Sequence, residues 1–317
     1  MKKQILALTV ASLGFITSAT AQQEKLLTHF IFDKMSVNPG STGMEEGICA
    51  TMIYRNQWDI VAGAPNSVLF NAEANLQQFL PAGIGISLYG DAIGYQRQTN
   101  ALLNYSYPLA IGDAGVLGIG VGLGIMNFGF NNNSWVPPTT PVAQDPSIPT
   151  IGSSTALDIN GGLYFKGTQG YYVGISSTHI NEAAFKNYFF SSKRHYFLMA
   201  GKKLKDLFGD GMDLDIQVLG RFVPNKFSAD INARFIYQDM FYAGLTFRNS
   251  DATAGMAGVK WPLTLGKARA NVGFGYSYDF TLNQLATISK GTHEVVGKFC
   301  YFIPKPPKQT SKHPRWL

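Results

Sequence analysis

Charge is scarce in this sequence. Only 15% of its 317 residues are Asp, Glu, Lys or Arg, as expected when one face of a chain meets lipid. After residue 21 no run of 18 apolar residues occurs, which excludes a membrane-spanning helix. There are two cysteines, Cys49 and Cys300, and neither follows the apolar start, so a lipoprotein signal is excluded. The formal charge of +6 also dissolves on inspection. Lys2 and Lys3 belong to the leader described below, and Lys305, Lys308, Lys312 and Arg315 to a C-terminal tail. Without these six, 20 basic residues face 20 acidic ones, and a neutral body argues against a nucleic-acid partner.

What is present begins with an export signal over 1–21. Lys2 and Lys3 precede an apolar stretch from Ile5 to Ile16, and Ala19-Thr20-Ala21 supplies a small-residue cleavage site. Beyond it, two-residue alternation recurs from segment to segment. In 230–237, Asp230, Asn232 and Arg234 fall on one face and Ile231, Ala233, Phe235 and Tyr237 on the other. A strand turns successive side chains to opposite faces, so one face is polar and the other apolar. The same holds in 213–222, where Leu214, Ile216, Val218 and Phe222 oppose Asp213, Asp215, Gln217 and Arg221. Repeated without a spanning helix, the pattern predicts an antiparallel transmembrane β-barrel.

Fourteen strands are expected, at 48–58, 66–76, 83–90, 99–108, 115–130, 155–166, 170–179, 194–203, 212–223, 227–237, 240–248, 254–262, 268–279 and 292–303. Together they define a barrel over 48–303. Links 91–98, 131–154, 180–193 and 280–291 read as long and 109–114, 167–169, 238–239 and 263–267 as short. Outer-membrane barrels carry long external loops and short periplasmic turns, so strand parity places both termini in the periplasm. The exceptions are a short external link at 224–226 and a longer internal one at 204–211. Residues 22–47 form a plug or lid before the first strand. Residues 304–317 form a basic, proline-interrupted periplasmic tail.

Candidate functional positions are few. Gly118, Gly120, Gly122 and Gly124 alternate with Ile119, Val121 and Leu123. No helix follows them, so they are not a nucleotide loop. They describe a strand whose lumen face is bare backbone, as do Gly83 with Gly85 and Gly273 with Gly275. A bare wall admits a plug, a ligand or a partner chain; barrel curvature alone is the other reading. Cys49 and Cys300 fall in the first and last strands, which closure makes neighbours, so they are either bridged or close free thiols. His179, His195 and His293 sit at strand ends without a zinc-ligand spacing or a nucleophile elbow. No cofactor, metal or catalytic group is indicated.

Several fragments together resemble the PorP/SprF family of the type IX secretion and gliding system of Bacteroidetes. Asn38-Pro39-Gly40-Ser41-Thr42-Gly43 resembles that family's Asn-Pro-Ala-x-x-Gly element, with Gly40 in the alanine position. Tyr54-Arg55-Asn56-Gln57-Trp58 follows, then Gly83-Ile84-Gly85, Tyr105-Ser106-Tyr107, Asp158 with Gly161 and Gly162, Gly174-Ile175-Ser176, Arg194-His195-Tyr196, Gly275-Tyr276-Ser277-Tyr278-Asp279 and Gly291-Thr292-His293-Glu294. The resemblance implies a non-enzymatic outer-membrane barrel. Such a barrel secretes surface adhesins, or anchors them through a C-terminal sorting domain, together with the periplasmic type IX machinery. Asn38, Pro39, Arg55, Gln57, Asp158 and the lumen glycines are the expected partner-binding positions. The rival expectations are a transporter of small hydrophobic molecules, with 22–47 as a hatch, and a diffusion porin.

Overall fold

The computed structural model describes residues 25–303 except 131–151, 186–187, 189, 225, 250 and 267. Within these, fourteen strands close into one antiparallel barrel. They are β1 Ile48–Asn56, β2 Asn66–Asn75, β3 Gly83–Ile93, β4 Gln96–Ile111, β5 Gly115–Phe130, β6 Gly152–Gly167, β7 Tyr171–Thr178, β8 His195–Leu204, β9 Met212–Val223, β10 Lys226–Tyr237, β11 Phe241–Arg248, β12 Ala252–Leu265, β13 Ala268–Thr281 and β14 Thr292–Phe302. Each pairs with its neighbour in sequence, and β1 pairs with β14 over Ile48↔Tyr301 to Asn56↔His293. Closure leaves no strand edge along that seam, which a wall in lipid requires because no water is there to satisfy free N–H and C=O groups.

The side chains are arranged inside out relative to a soluble protein. On β10, Asp230 and Asn232 are fully buried and Arg234 nearly so, while Ile231 and Tyr237 are exposed. On β9, Asp215, Gln217 and Arg221 are buried while Ile216, Val218 and Phe222 are exposed. The polar phase of the alternation therefore lines the lumen and the apolar phase faces outward. Leu103, Leu157, Leu245 and Phe274 are each more than 60% exposed, which only a hydrocarbon environment makes favourable.

The end where β1 begins and β14 finishes is here the proximal end; the opposite end is distal. The link 91–98, expected to be long, is instead mostly strand. β3 and β4 run on to pair Ile93 with Gln96, and only Gly94 and Tyr95 remain as the turn. Gly94 takes φ +54 there, a left-handed conformation natural to glycine in a tight hairpin. Polar Asp91, Gln96 and Gln98 resembled loop, but they continue the strand's alternation beyond the apolar band. The segment 179–194 carries a small hairpin, Ala184–Phe185 with Phe190–Ser191. It also covers the distal half of β6, where Asn181 Nδ2 donates to the Leu157 carbonyl at 2.7 Å. Link 282–291 contains a short 3-10 turn, Gln284–Thr287. Most of the predicted loop 131–154, the leader 1–21 and the tail 304–317 lie outside the described residues.

Leu245 lies mid-strand on the outward face and is 64% exposed. Leu245→Arg is expected to destabilise the barrel by about 2–4 kcal/mol, the cost of a cation near the bilayer midplane. Denaturant unfolding in phospholipid vesicles measures this, with Leu245→Phe as the tolerated control.

Candidate functional site

Residues 25–47 run inside the barrel. They start in its distal half, where Lys25 lies over the Tyr89 ring, and descend to the proximal end, where Gly47 meets Tyr301. Two short 3-10 turns shape the path, Phe30–Phe32 and Pro39–Ser41. The second turn is built by Asn38. Its Oδ1 accepts the Gly40 N–H at 2.9 Å, and Pro39 follows at the first helical position, where its missing N–H costs nothing. Asn38 Nδ2 donates to the Leu163 carbonyl at 3.0 Å, which pins the turn to β6. The wall answers with further bonds. Ser176 Oγ donates to the Val37 carbonyl at 2.6 Å, Ser106 Oγ to the Gly40 carbonyl at 3.1 Å, and Lys166 Nζ to the Met44 carbonyl at 2.6 Å. The Gly43 N–H donates to Glu73 at 2.7 Å.

The glycines explain how the turn comes so close. A β-carbon on Gly118 or Gly120 would collide with the backbone of Pro39 and Gly40, and one on Gly83 with the Thr42 carbonyl. Gly85 faces Met35, and a β-carbon on Gly122 would crowd Asn104 Oδ1 and come within 3.4 Å of Pro39 Cγ. Gly162 and Gly174, which were not among the candidate positions, press on the Asn38 side chain. Gly124 is different: its close neighbour is the Ala101 carbonyl of β4. Below the turn, Phe30, Ile31, Val37 and Met44 pack with Tyr164, Tyr172, Phe197, Met199, Leu219 and Met256 of the wall. This apolar cluster supplies the burial that offsets the ordering entropy of the segment.

A network of buried charges holds the distal part. Arg55 Nη1 bonds Glu294 and Nη2 bonds Asp279, each at 2.8 Å. Arg248 contacts Asp230 at 2.9 Å and Asp251 at 3.2 Å, and Arg221 bonds Asp230 at 2.8 Å. The segment enters this network. The N–H groups of Thr28 and His29 donate to Glu294 at 3.0 and 2.6 Å, Thr28 Oγ1 donates to Asp279, and Arg248 donates to the Leu27 carbonyl. Buried charges stand only when paired and hydrogen-bonded, so wall and segment satisfy each other. Thr28 and His29 gave no local signal in the sequence, because their partner Glu294 lies over 260 residues away.

The remaining candidates are dispersed. Asp158 bonds His179 Nδ1 at 2.8 Å, and the His179 ring meets that of His195 edge-on; all three side chains are buried in the distal wall. Gln57 lies just past β1, where its N–H donates to the Pro65 carbonyl. Cys49 and Cys300 stand opposite each other in the β1–β14 register and are joined in a disulfide. Gly275 accommodates the Tyr242 hydroxyl. Gly273 lines a cavity of about 470 Å³ between the segment and the proximal wall. Lys34 also lines it, with Nζ 4.0 Å above the Tyr172 ring. Desolvation pushes the Lys34 ammonium down to about 8, against the opposing pull of Glu45 and Asp215.

A filled lumen inside an outward-apolar wall defines an outer-membrane β-barrel. The family model described as type IX secretion system membrane protein PorP/SprF matches residues 19–299, and the chain belongs to that family. No curated protein matches the chain. Among solved structures, the CymD monoaromatic hydrocarbon channel is similar at 11% identity and TM-score 0.49, over 86% of this chain and 93% of that one. The Acinetobacter baumannii outer membrane protein Omp33 is similar at 8% identity and TM-score 0.44, over 83% and 100%. A Pseudomonas aeruginosa FadL homologue is similar at 11% and 0.42, over 83% and 92%.

Gly120→Val is expected to expel the segment, because the new side chain meets backbone on the facing turn. Limited proteolysis of the folded barrel should then cleave within 25–47, where the unaltered protein is protected. A second expectation concerns pH. With Lys34 titrating near 8 when folded and near 10.5 when unfolded, the unfolded state binds more protons between these values, and stability rises with pH across that window. Thermal melts of Lys34→Met should lack this component of the rise.

Proposed function

We propose that this barrel binds, anchors or helps export a surface protein through that protein's C-terminal sorting domain, without catalysing a reaction. The observation that carries the reading is the family match across 19–299. The filled lumen supports it further. A diffusion porin needs an open path, whereas here residues 27–44 are almost wholly buried against the wall. The glycine walls at Gly83, Gly85, Gly118, Gly120 and Gly122 already hold the chain's own turn, so cargo contacts belong on the distal links, among them 57–65, 179–194 and 282–291. The proximal end faces the periplasm in this reading, which brings residues 42–47 and the basic tail towards the periplasmic type IX machinery.

Deletion of the gene should leave a surface adhesin synthesised but shed to the medium or retained in the cell. Immunoblots of whole cells, medium and periplasm follow this, and unchanged display of every surface adhesin would overturn the reading. A C-terminally tagged barrel should bring down the same adhesin from native outer membranes.

A further inference from the structure

The proximal cavity lies between the N-terminal segment and the wall, and Met44, Glu73 and Lys166, which dock the segment, also line it. It has about 470 Å³ of space, within the roughly 300–1,000 Å³ of small-molecule sites. Its walls divide by chemistry. Phe32, Ile236, Met240 and Val296 line it with apolar surface, while Lys166 and Lys202, and Lys203 and Lys260 paired with Asp239, border it.

Three further cations gather around its aromatic surface. The Arg234 guanidinium lies 5.0 Å from the Phe32 ring centre and 5.1 Å from that of Tyr242. Lys298 Nζ lies 5.8 Å from the Phe32 ring and Lys34 Nζ 4.0 Å from that of Tyr172. Two of the three have a carboxylate partner: Arg234 bonds Asp215 and Lys298 bonds Glu45, both at 2.6 Å. The third carboxylate at this level, Glu73, accepts the Gly43 N–H. Among the described residues Lys34 forms no ion pair. Arg234 is 91% buried, yet its Nε–H has no hydrogen-bond partner. A buried guanidinium with a donor to spare, beside an ammonium that makes no direct ion pair, leaves room there for an anionic acceptor.

We propose that this cavity binds an acidic amphiphile, a small molecule with one carboxylate or phosphate head on an apolar body. The head sits between Lys34 and the free face of Arg234. The body lies along Phe32, Ile236 and Met240. The site is independent of the cargo-binding reading and stands or falls without it.

The test uses the full mature barrel in a neutral maltoside, titrated calorimetrically with decanoate, decyl phosphate and, as a cationic control, decyltrimethylammonium. Saturable one-site binding of one or both acids is expected, with none for the cation. Binding of decanoate alone assigns a carboxylate head and of decyl phosphate alone a phosphate head; equal binding assigns a site that reads charge only. Lys34→Met should weaken binding tenfold or more while the melting temperature holds or rises. Gly273→Leu serves as a second variant. A β-carbon there has only ordinary contacts, the nearest being the Val259 carbonyl at 3.5 Å, so the side chain fills the cavity without changing a charge. It should abolish binding in a barrel that still shows heat-modifiable mobility on gels. Equal uptake of all three probes, no saturable uptake of either acid, or unchanged affinity in both variants would overturn the proposal.

Discussion

The ladder between β1 and β14 is the interaction on which the rest of this molecule depends. Until it forms, the sheet has two edges whose amides and carbonyls have no partner in a hydrocarbon layer. Once it forms, the polar phase of every strand is committed to one enclosed space. The disulfide between Cys49 and Cys300 lies within that ladder, near its proximal end. Nine register pairs, from Ile48↔Tyr301 to Asn56↔His293, fix which wall residues look at each other, and with them the position of Arg55 against Glu294.

Enclosing so many polar groups creates a demand that water in a narrow lumen meets poorly. The N-terminal segment meets it from within. It brings backbone N–H groups to Glu294, a carbonyl to Arg248, and an amide side chain to the carbonyl row of β6. The glycines are the steric half of the same arrangement. Where the segment runs closest, the wall has no side chains, and where the wall has long charged side chains, the segment offers backbone and small polar groups. Apolar packing around Phe30, Ile31 and Val37 then holds the two together without any need for directional precision.

Much of the architecture was legible in the sequence because it rests on a period of two, which is local. Asp230, Asn232 and Arg234 declare a lumen face, and Ile231 and Phe235 the opposite one, whatever the rest of the chain does. The positions of Cys49 and Cys300 followed from strand count alone. The turn at Gly94 and Tyr95 was missed because polar residues such as Asp91 and Gln98 look the same in a loop and in a strand that extends past the lipid. The glycine walls were legible as walls. That Gly118 and Gly120 meet Pro39 and Gly40 was not, since it depends on how far a separate segment descends. Still less visible were Thr28, His29, Lys34 and Tyr242. Each owes its setting to partners from distant strands, and no spacing along the chain records them.

The route of the N-terminal segment has a consequence for the order of assembly. It lies in the lumen and passes directly into β1 through Gly47, so it cannot be added as a separate piece after the wall is complete. The last seam joins strands about 250 residues apart, the most distant pairing in the sequence and the slowest to find by diffusion of the chain. The segment is tethered to β1 throughout, and the glycine rows it packs on lie in β3 and β5, much nearer in sequence than β14. A wall whose filling is covalently part of its first strand needs no separate partner to load the interior.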